Sequence, residues 1–267
     1  MNPLSAIFGA GVSMRNALYD RGIFQVNKLA RPVVSIGNIS VGGSGKTPFV
    51  VALGELLKQR GIAFDVLSRG YGRSSTEIAV IDPNGSPAQF GDEPLLIAHK
   101  LQVPVIVGAD RYQAGLVAEN RFSGKLHLLD DGFQHRRLHR DFDIVLLPAE
   151  DYGGVLLPAG RLREPLAALR RADAVVLPDP LEQSPDVTRV WIVRRRIEFS
   201  DAGGTLVAFC GIGRPRQFFD GLKAGDQEIA GKIISETIIA TISTISTAWC
   251  ASNTKSARMD SSPLKKT

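Results

Sequence analysis

The sequence predicts an α/β protein: a mostly parallel sheet covered by helices, followed by an incomplete second α/β lobe. Three observations predict it. Between residues 32 and 178, short apolar runs alternate with stretches whose apolar residues recur at helical spacing, the pattern of strands with crossover helices. One run, Pro32-Val33-Val34-Ser35-Ile36, leads through a glycine-rich loop into a helical pattern. Another, Leu126-His127-Leu128-Leu129-Asp130-Asp131, ends in paired carboxylates.

Taken in order, residues 1–24 carry Leu4, Ile7, Phe8, Val12, Met14, Leu18 and Ile23 on a helical pattern, with Arg15 and Arg21 beside them. Two readings stay open for this helix: packing on the domain core, or lying in a membrane interface. Strands are expected at 33–36, 64–67, 77–81, 103–107, 126–130, 143–147 and 174–177, and helices at 49–60, 94–101, 112–120 and 165–171. A strand at 206–210, the turn Gly211-Ile212-Gly213 and a helix at 216–223 open the second lobe. From 234 to 247 the chain is almost entirely Ile, Ser, Thr and Ala, with neither alternation nor a helical stripe.

The 267 residues, 44% hydrophobic, suffice for a real core. Cys210 and Cys250 lie far apart and form no metal or redox motif. No apolar run approaches the roughly 18 residues of a spanning helix, and Gly and charged residues interrupt the N-terminus too early for a signal peptide. The net charge of +5 sits in arginine clusters at 136–140, 161–171 and 194–196. Such clusters attract phosphorylated or lipid partners. Aromatic residues are not interleaved for base stacking, so nucleic acid is not expected, and no protein partner is predicted.

The loop Val41-Gly42-Gly43-Ser44-Gly45-Lys46-Thr47-Pro48 carries the chemistry. Backbone N–H groups of Gly42, Gly43, Ser44 and Gly45 would surround phosphate oxygens, Lys46 would reach the β- and γ-phosphates, and the Thr47 hydroxyl would ligate Mg²⁺. The first glycine of the usual pattern is Ser40 here. Pro48 suits the first turn of a helix, so strand, loop and helix aim a helix N-terminus at an anion. The fold is therefore P-loop NTPase-like, and Asp130-Asp131 resembles a Walker B end that delivers a carboxylate to Mg²⁺. Arg69 and Arg73, after the second strand, suit phosphate pairing. Asp92 fits either an N-cap or a base orienting a hydroxyl. Arg161-Leu162-Arg163-Glu164-Pro165 is either a salt-bridged turn or an anion clamp.

These strings, in this order, resemble the tetraacyldisaccharide 4'-kinases of lipid A biosynthesis. The matching pieces are Ser35-Ile36-Gly37-Asn38, the loop ending in Pro48, the segment 67–73, Gly91-Asp92-Glu93-Pro94, Asp110-Arg111, Asp130-Asp131-Gly132-Phe133-Gln134-His135-Arg136, the segment 158–165, and Phe209-Cys210-Gly211-Ile212-Gly213-Arg214-Pro215. The resemblance runs to about Lys232. It implies transfer of the ATP γ-phosphoryl to the 4'-hydroxyl of a lipid A disaccharide precursor by a peripheral protein on the cytoplasmic face of the bacterial inner membrane. It implies ATP and Mg²⁺ held by Lys46 and Thr47, with Asp130 and Asp131 in the metal and catalytic region. Asp92 would be the carboxylate of a catalytic Asp–His pair, and Arg111, His135, Arg163 and Glu164 would line the active site. The expected organisation is a membrane-docking region at 1–30, a kinase core at 31–200, the start of a second lobe at 201–232, and a tail at 233–267.

The tail departs from the family pattern. The family continues with an Asp-His-His-x-Tyr/Phe motif and later a Thr-Thr-Glu-Lys-Asp motif, and neither is present; the four histidines are His99, His127, His135 and His139. Shifting the codon frame lets residues 234–241 encode Phe-Arg-Asp-His-His-Arg-Tyr and residues 260–267 encode Phe-Ile-Thr-Thr-Glu-Lys-Asp. The expectation is a frame slip near Ile233, an out-of-frame tail, and little kinase activity in the chain as written. Two other functions fit the loop alone: a switch or partition ATPase, which carries lysine where this chain has Val41, and a non-catalytic nucleotide-binding remnant.

Overall fold

The computed structural model describes residues 2–178, 185, 187, 189–193, 206–210, 219 and 229–234. Strand β1 (Val33–Asn38) sits inside an eight-stranded sheet, between β5 (Leu126–Asp130) and β6 (Phe142–Leu146). Beyond β5 lie β2 (Phe64–Ser68) and β4 (Val105–Val107); beyond β6 lie β7 (Ala174–Pro178) and β8 (Val190–Val193). All these neighbours pair in parallel. The two-residue edge strand β3 (Ala79–Val80) is antiparallel to β4.

Helices cover both faces, which is why the strands read as apolar runs rather than as alternating patterns. Val66 and Leu128 point into a core shared with Phe49 and Val50 of α2 (Lys46–Gln59) and with Ile97 and Leu101 of α4 (Asp92–Leu101). Their chain neighbours Leu67 and Leu129 point to the other face, against Ala114 and Ala118 of α5 (Arg111–Arg121) and against Leu29. Gly54 in α2 allows a close approach, since a Cβ there would meet Leu101 at 2.6 Å.

Helix α1 (Pro3–Asp20) starts at Asn2, whose side chain accepts a hydrogen bond from the Leu4 amide. A short helix α3 (Pro87–Phe90) precedes α4. Residues 166–171 form a 3₁₀ helix rather than the expected α-helix. This six-residue connection buries only Ala168 and Leu169, and segments this short take the tighter winding readily.

In a second compact unit, β9 (Leu206–Cys210) and β10 (Ile229–Ile234) form a parallel pair. The expected strand at 206–210 is observed. The helix expected at 216–223, the turn at 211–213 and the tail from 235 onward lie outside the described residues. Among the described residues no helix is long and apolar enough to cross a membrane.

Candidate active site

Parallel strands release their following loops at one edge of the sheet, and α/β folds place ligands there. The β1–β5 register sets Ile36 beside Asp130, so the glycine loop and the paired aspartates emerge as neighbours. Gly42 and Gly45 both take left-handed backbone, at φ 92° and 83°. Gly45 is the N-cap of α2, so Lys46 and Thr47 occupy its first turn with Thr47 buried. Gly43 and Ser44 complete the loop between them. A Cβ at Gly42 would lie 2.6 Å from the Arg161 guanidinium. That guanidinium brackets the loop by donating to the Val41 carbonyl at 2.8 Å, and the Val41 amide donates to the Arg161 carbonyl at 2.8 Å.

Lys46 Nζ lies 3.3 Å from Asp131 Oδ1 and donates to Asn38 Oδ1 at 3.3 Å. Arg163 grips the same Asp131 carboxylate with both terminal nitrogens, at 3.0 and 3.2 Å, and also donates to Asn38 Oδ1. Asp131 itself adopts φ 50°, unusual for a residue with a Cβ and a mark of local strain at functional sites. Burial pushes its carboxyl up, but hydrogen bonds and charge from Arg163 and Lys46 outweigh that and hold it at about 2. Asp130 behaves oppositely. Burial, then the charges of Asp131 and Glu93, push it up to about 7 against the Lys46 charge and the Ser68 hydroxyl bonded to its Oδ2 at 3.1 Å.

Arg111 is buried, with its guanidinium donating to the Ala109 carbonyl at 2.7 Å. Burial and Arg69 lower its pKa, and Asp131, Asp130 and Asp110 oppose that. Burial and Arg111 lower His135 to about 4, so its imidazole is neutral near pH 7. Asp92 stands exposed in the first turn of α4, whose start is fixed by Gly91 at φ 89°. Glu164 turns away from the phosphate loop. Its buried carboxylate accepts from Arg171 at 2.9 Å and from Asn16 of α1 at 2.8 Å. The structure thus gathers Lys46, Asp130, Asp131 and Arg163 at one point, with Arg111 coupled electrostatically to both aspartates and His135 to Arg111.

The residues fit Mg²⁺. Asp131 is already occupied by two cations, whereas Asp130 Oδ1 is buried and without a hydrogen-bond partner. A buried carboxylate oxygen left without a partner is the kind of hard donor that Mg²⁺ takes while retaining water.

Asn38, Ser68 and Glu93 belong to this constellation, and the sequence alone assigns them no role. Asn38 ends β1 and Ser68 ends β2. A polar residue at the strand end on the ligand edge was the available signal for Asn38 and Ser68.

The family model described as LpxK, tetraacyldisaccharide-1-P 4'-kinase, matches residues 1–233. The tetraacyldisaccharide 4'-kinase of Koribacter versatilis (strain Ellin345) is 57% identical over 236 residues, covering 84% of this chain and 73% of that protein. The one from Aquifex aeolicus (strain VF5) is 48% identical over 180 residues, 66% of this chain and 56% of its own length. This chain thus spans little more than half of the latter relative. The crystal structure of the "apo" form of LpxK from Aquifex aeolicus in complex with ATP superposes with a TM-score of 0.78 at 38% identity, over 87% of this chain and 80% of that one. With the phosphate loop and paired aspartates brought into contact through Lys46 and Asp131 and a match over 1–233, the chain belongs to the tetraacyldisaccharide-1-P 4'-kinase family.

Proposed function

We propose that this chain carries the catalytic core of an ATP-dependent kinase acting on the 4'-hydroxyl of tetraacyldisaccharide 1-phosphate, a lipid A precursor. The observation that carries it is Lys46 in the first turn of α2, 3.3 Å from the Asp131 that follows β5. Phosphoryl transfer is mostly positioning and charge neutralisation. Loop amides at the α2 N-terminus bind the phosphates. Lys46 exchanges Asp131 for a phosphate oxygen, and Arg163 keeps Asp131 paired when it does. Arg111 adds positive charge behind the transferring group, and His135 offers it a neutral hydrogen-bonding ring. Thr47 and Asp130 would hold Mg²⁺, which when bound neutralises phosphate charge. Asp92 orients the sugar hydroxyl.

A membrane surface fits the N-terminus. On α1, Leu4, Ile7 and Met14 are 60%, 69% and 66% exposed, and Ile23 after it is 62% exposed. Only Ser5 of this helix is buried. Large apolar groups turned to solvent favour the interfacial reading and a peripheral site on the inner membrane, facing the cytoplasm.

The tail from 233 onward is proposed to be out-of-frame translation, which removes the histidine expected to pair with Asp92. The family match ending at residue 233 supports this, as does the change in composition there. The test has two parts. Mg-ATP should raise the melting temperature of this chain, and Lys46→Ala should abolish the rise; a saturating ligand at a hundredfold its Kd contributes about 2.7 kcal/mol. A chain re-encoded in the shifted frame should then transfer labelled γ-phosphate to the lipid acceptor, whereas the chain as written should not. Full turnover by the written chain overturns the frame slip; no transfer by the re-encoded chain overturns the kinase assignment.

A further inference from the structure

The phosphate loop is entered through Ser40, where the usual pattern has glycine, and the structure shows what that serine does. Ser40 is fully buried. Its hydroxyl donates to Oδ2 of Asp151 at 2.5 Å. Asp151 is itself 2% exposed and lies in a 3₁₀ turn, Ala149–Asp151, that follows β6. The residue is remote in sequence from the loop and belongs to none of the motifs that mark the site.

We propose that Asp151 is a positioning residue for nucleotide binding, acting on Lys46 and Arg163 through Ser40 and Asn38; this rests on the nucleotide-site reading above. A carboxylate only accepts, so it fixes the one Ser40 proton towards itself. The Ser40 oxygen is then left to accept, and the Asn38 amide nitrogen approaches it at 3.5 Å. That sets which end of the Asn38 amide faces the site. Oδ1 points at the two cations, accepting from Lys46 at 3.3 Å and from Arg163. The Asn38 backbone is pinned separately, because Gln134 donates to its carbonyl at 2.8 Å. The strand end is held as well: the Arg163 amide donates to the Ile39 carbonyl at 2.7 Å. With the backbone fixed, the side-chain amide is the free variable, and Asp151 sets it. Reversing that amide would place an NH₂ group against Lys46 and Arg163.

The isosteric change Asp151→Asn is the informative variant. An asparagine there can donate to Ser40, which turns the hydroxyl proton towards Asn38 and favours the reversed amide. The probes are Mg-ATP and Mg-ADP, titrated calorimetrically against the full chain and its variants. Lys46 reaches both the β- and γ-phosphates and meets only the β-phosphate in ADP, so the relay predicts that Asp151→Asn weakens Mg-ATP about tenfold, the loss expected from one charge-assisted hydrogen bond. It should weaken Mg-ADP less than about threefold by the same reasoning. Ser40→Ala removes the link without the wrong-way donor and should shift the ATP-to-ADP ratio in the same direction by a smaller factor. Should Asp151→Asn fail to fold, the ratio in Ser40→Ala decides. Adding Ser40→Ala to Asp151→Asn should restore part of the ratio. A merely structural Asp151 would lower the melting temperature and leave the ratio unchanged, which overturns the relay alone. A wild-type chain that binds neither nucleotide overturns the site reading and the relay with it.

Discussion

Asp130 and Asp131 are adjacent in the chain and opposite in charge behaviour: one is held near 7, the other near 2. The cause is which cations each meets. Asp131 is bracketed by Lys46 and Arg163. Asp130 is buried in β5 beside Ser68, with Oδ1 unpartnered.

The Asp130 carboxyl therefore opposes folding at neutral pH in metal-free chain. Its folded pKa is raised above the ordinary value of 3.8 to about 7. A raised value means stability is fully present below pH 4 and is lost as pH rises towards 7. Asp130→Asn removes that loss. In EDTA and without nucleotide, the variant should match the wild type at pH 4. At pH 8 it should exceed it by roughly 2–4 kcal/mol, because each tenfold change in a protonation equilibrium is worth about 1.4 kcal/mol. Urea unfolding across this range is the measurement, and a pH-independent difference would contradict the assignment.

His127 and Asp65 give a second prediction, this one without functional cost. They are register partners on β5 and β2, with Nδ1 2.6 Å from Oδ1, and both are fully buried. Glu119 faces the other ring nitrogen at 3.4 Å, and Arg31 stands 3.9 Å from Asp65. Both residues sit near the starts of their strands, at the sheet edge opposite the phosphate loop. His127→Leu leaves the buried Asp65 with only the longer Arg31 contact, and removing one partner of a buried pair costs about 3–5 kcal/mol. Urea unfolding should show that loss, while Mg-ATP affinity of the folded fraction should stay within about twofold, since the pair touches nothing in the site.

Much of this was legible in the chain. Apolar runs located β1, β2, β5, β6 and β7, because a strand buried on both faces leaves an unmixed signal. The loop and Asp130-Asp131 were legible because phosphate binding demands particular residues at fixed spacing. Asp151 was not, since it meets Ser40 only after the chain has passed through β5 and β6. The partners of Glu164 were equally hidden: Asn16 is 148 residues away in sequence. The apolar pattern at 77–81 suggests a longer β3 than the two residues observed, because an edge strand has one ladder to satisfy and ends once its neighbour does.

Glu164 supports α1 and Arg171, and this separates two roles for it. Burial alone would raise its pKa, but hydrogen bonds from Arg171 and Asn16 lower it. A depressed carboxylate contributes stability above its ordinary pKa and loses it as pH falls through the folded value. Glu164→Ala leaves Arg171 with the Phe133 ring, 4.5 Å below its guanidinium, but without its carboxylate. It should cost about 3 kcal/mol at pH 7, and less near pH 3. Calorimetric Mg-ATP titration should show an affinity within about twofold of wild type, the margin for a group with no phosphate contact; a large affinity loss without a stability loss would instead place Glu164 in the active site.

The exposed face of α1 is separable from stability. Ser5 anchors the helix by donating to the Leu156 carbonyl at 2.9 Å. Near its other end, Arg136 holds the Asn16 carbonyl at 3.0 Å and Asp20 at 2.6 Å. None of these contacts involves Leu4, Ile7 or Met14, which point to solvent. Replacing all three with serine should leave urea unfolding within about 0.5 kcal/mol per site, as for ordinary surface changes. Serine also lowers helix propensity slightly, which bounds the expected cost from the other side. Co-sedimentation with anionic lipid vesicles should fall at least tenfold, because each buried apolar side chain lost from an interface forfeits about 1.5–3 kcal/mol. Retained vesicle binding in the triple variant would move the docking surface to Ile23, Phe24 and Val26, the exposed apolar residues that follow α1.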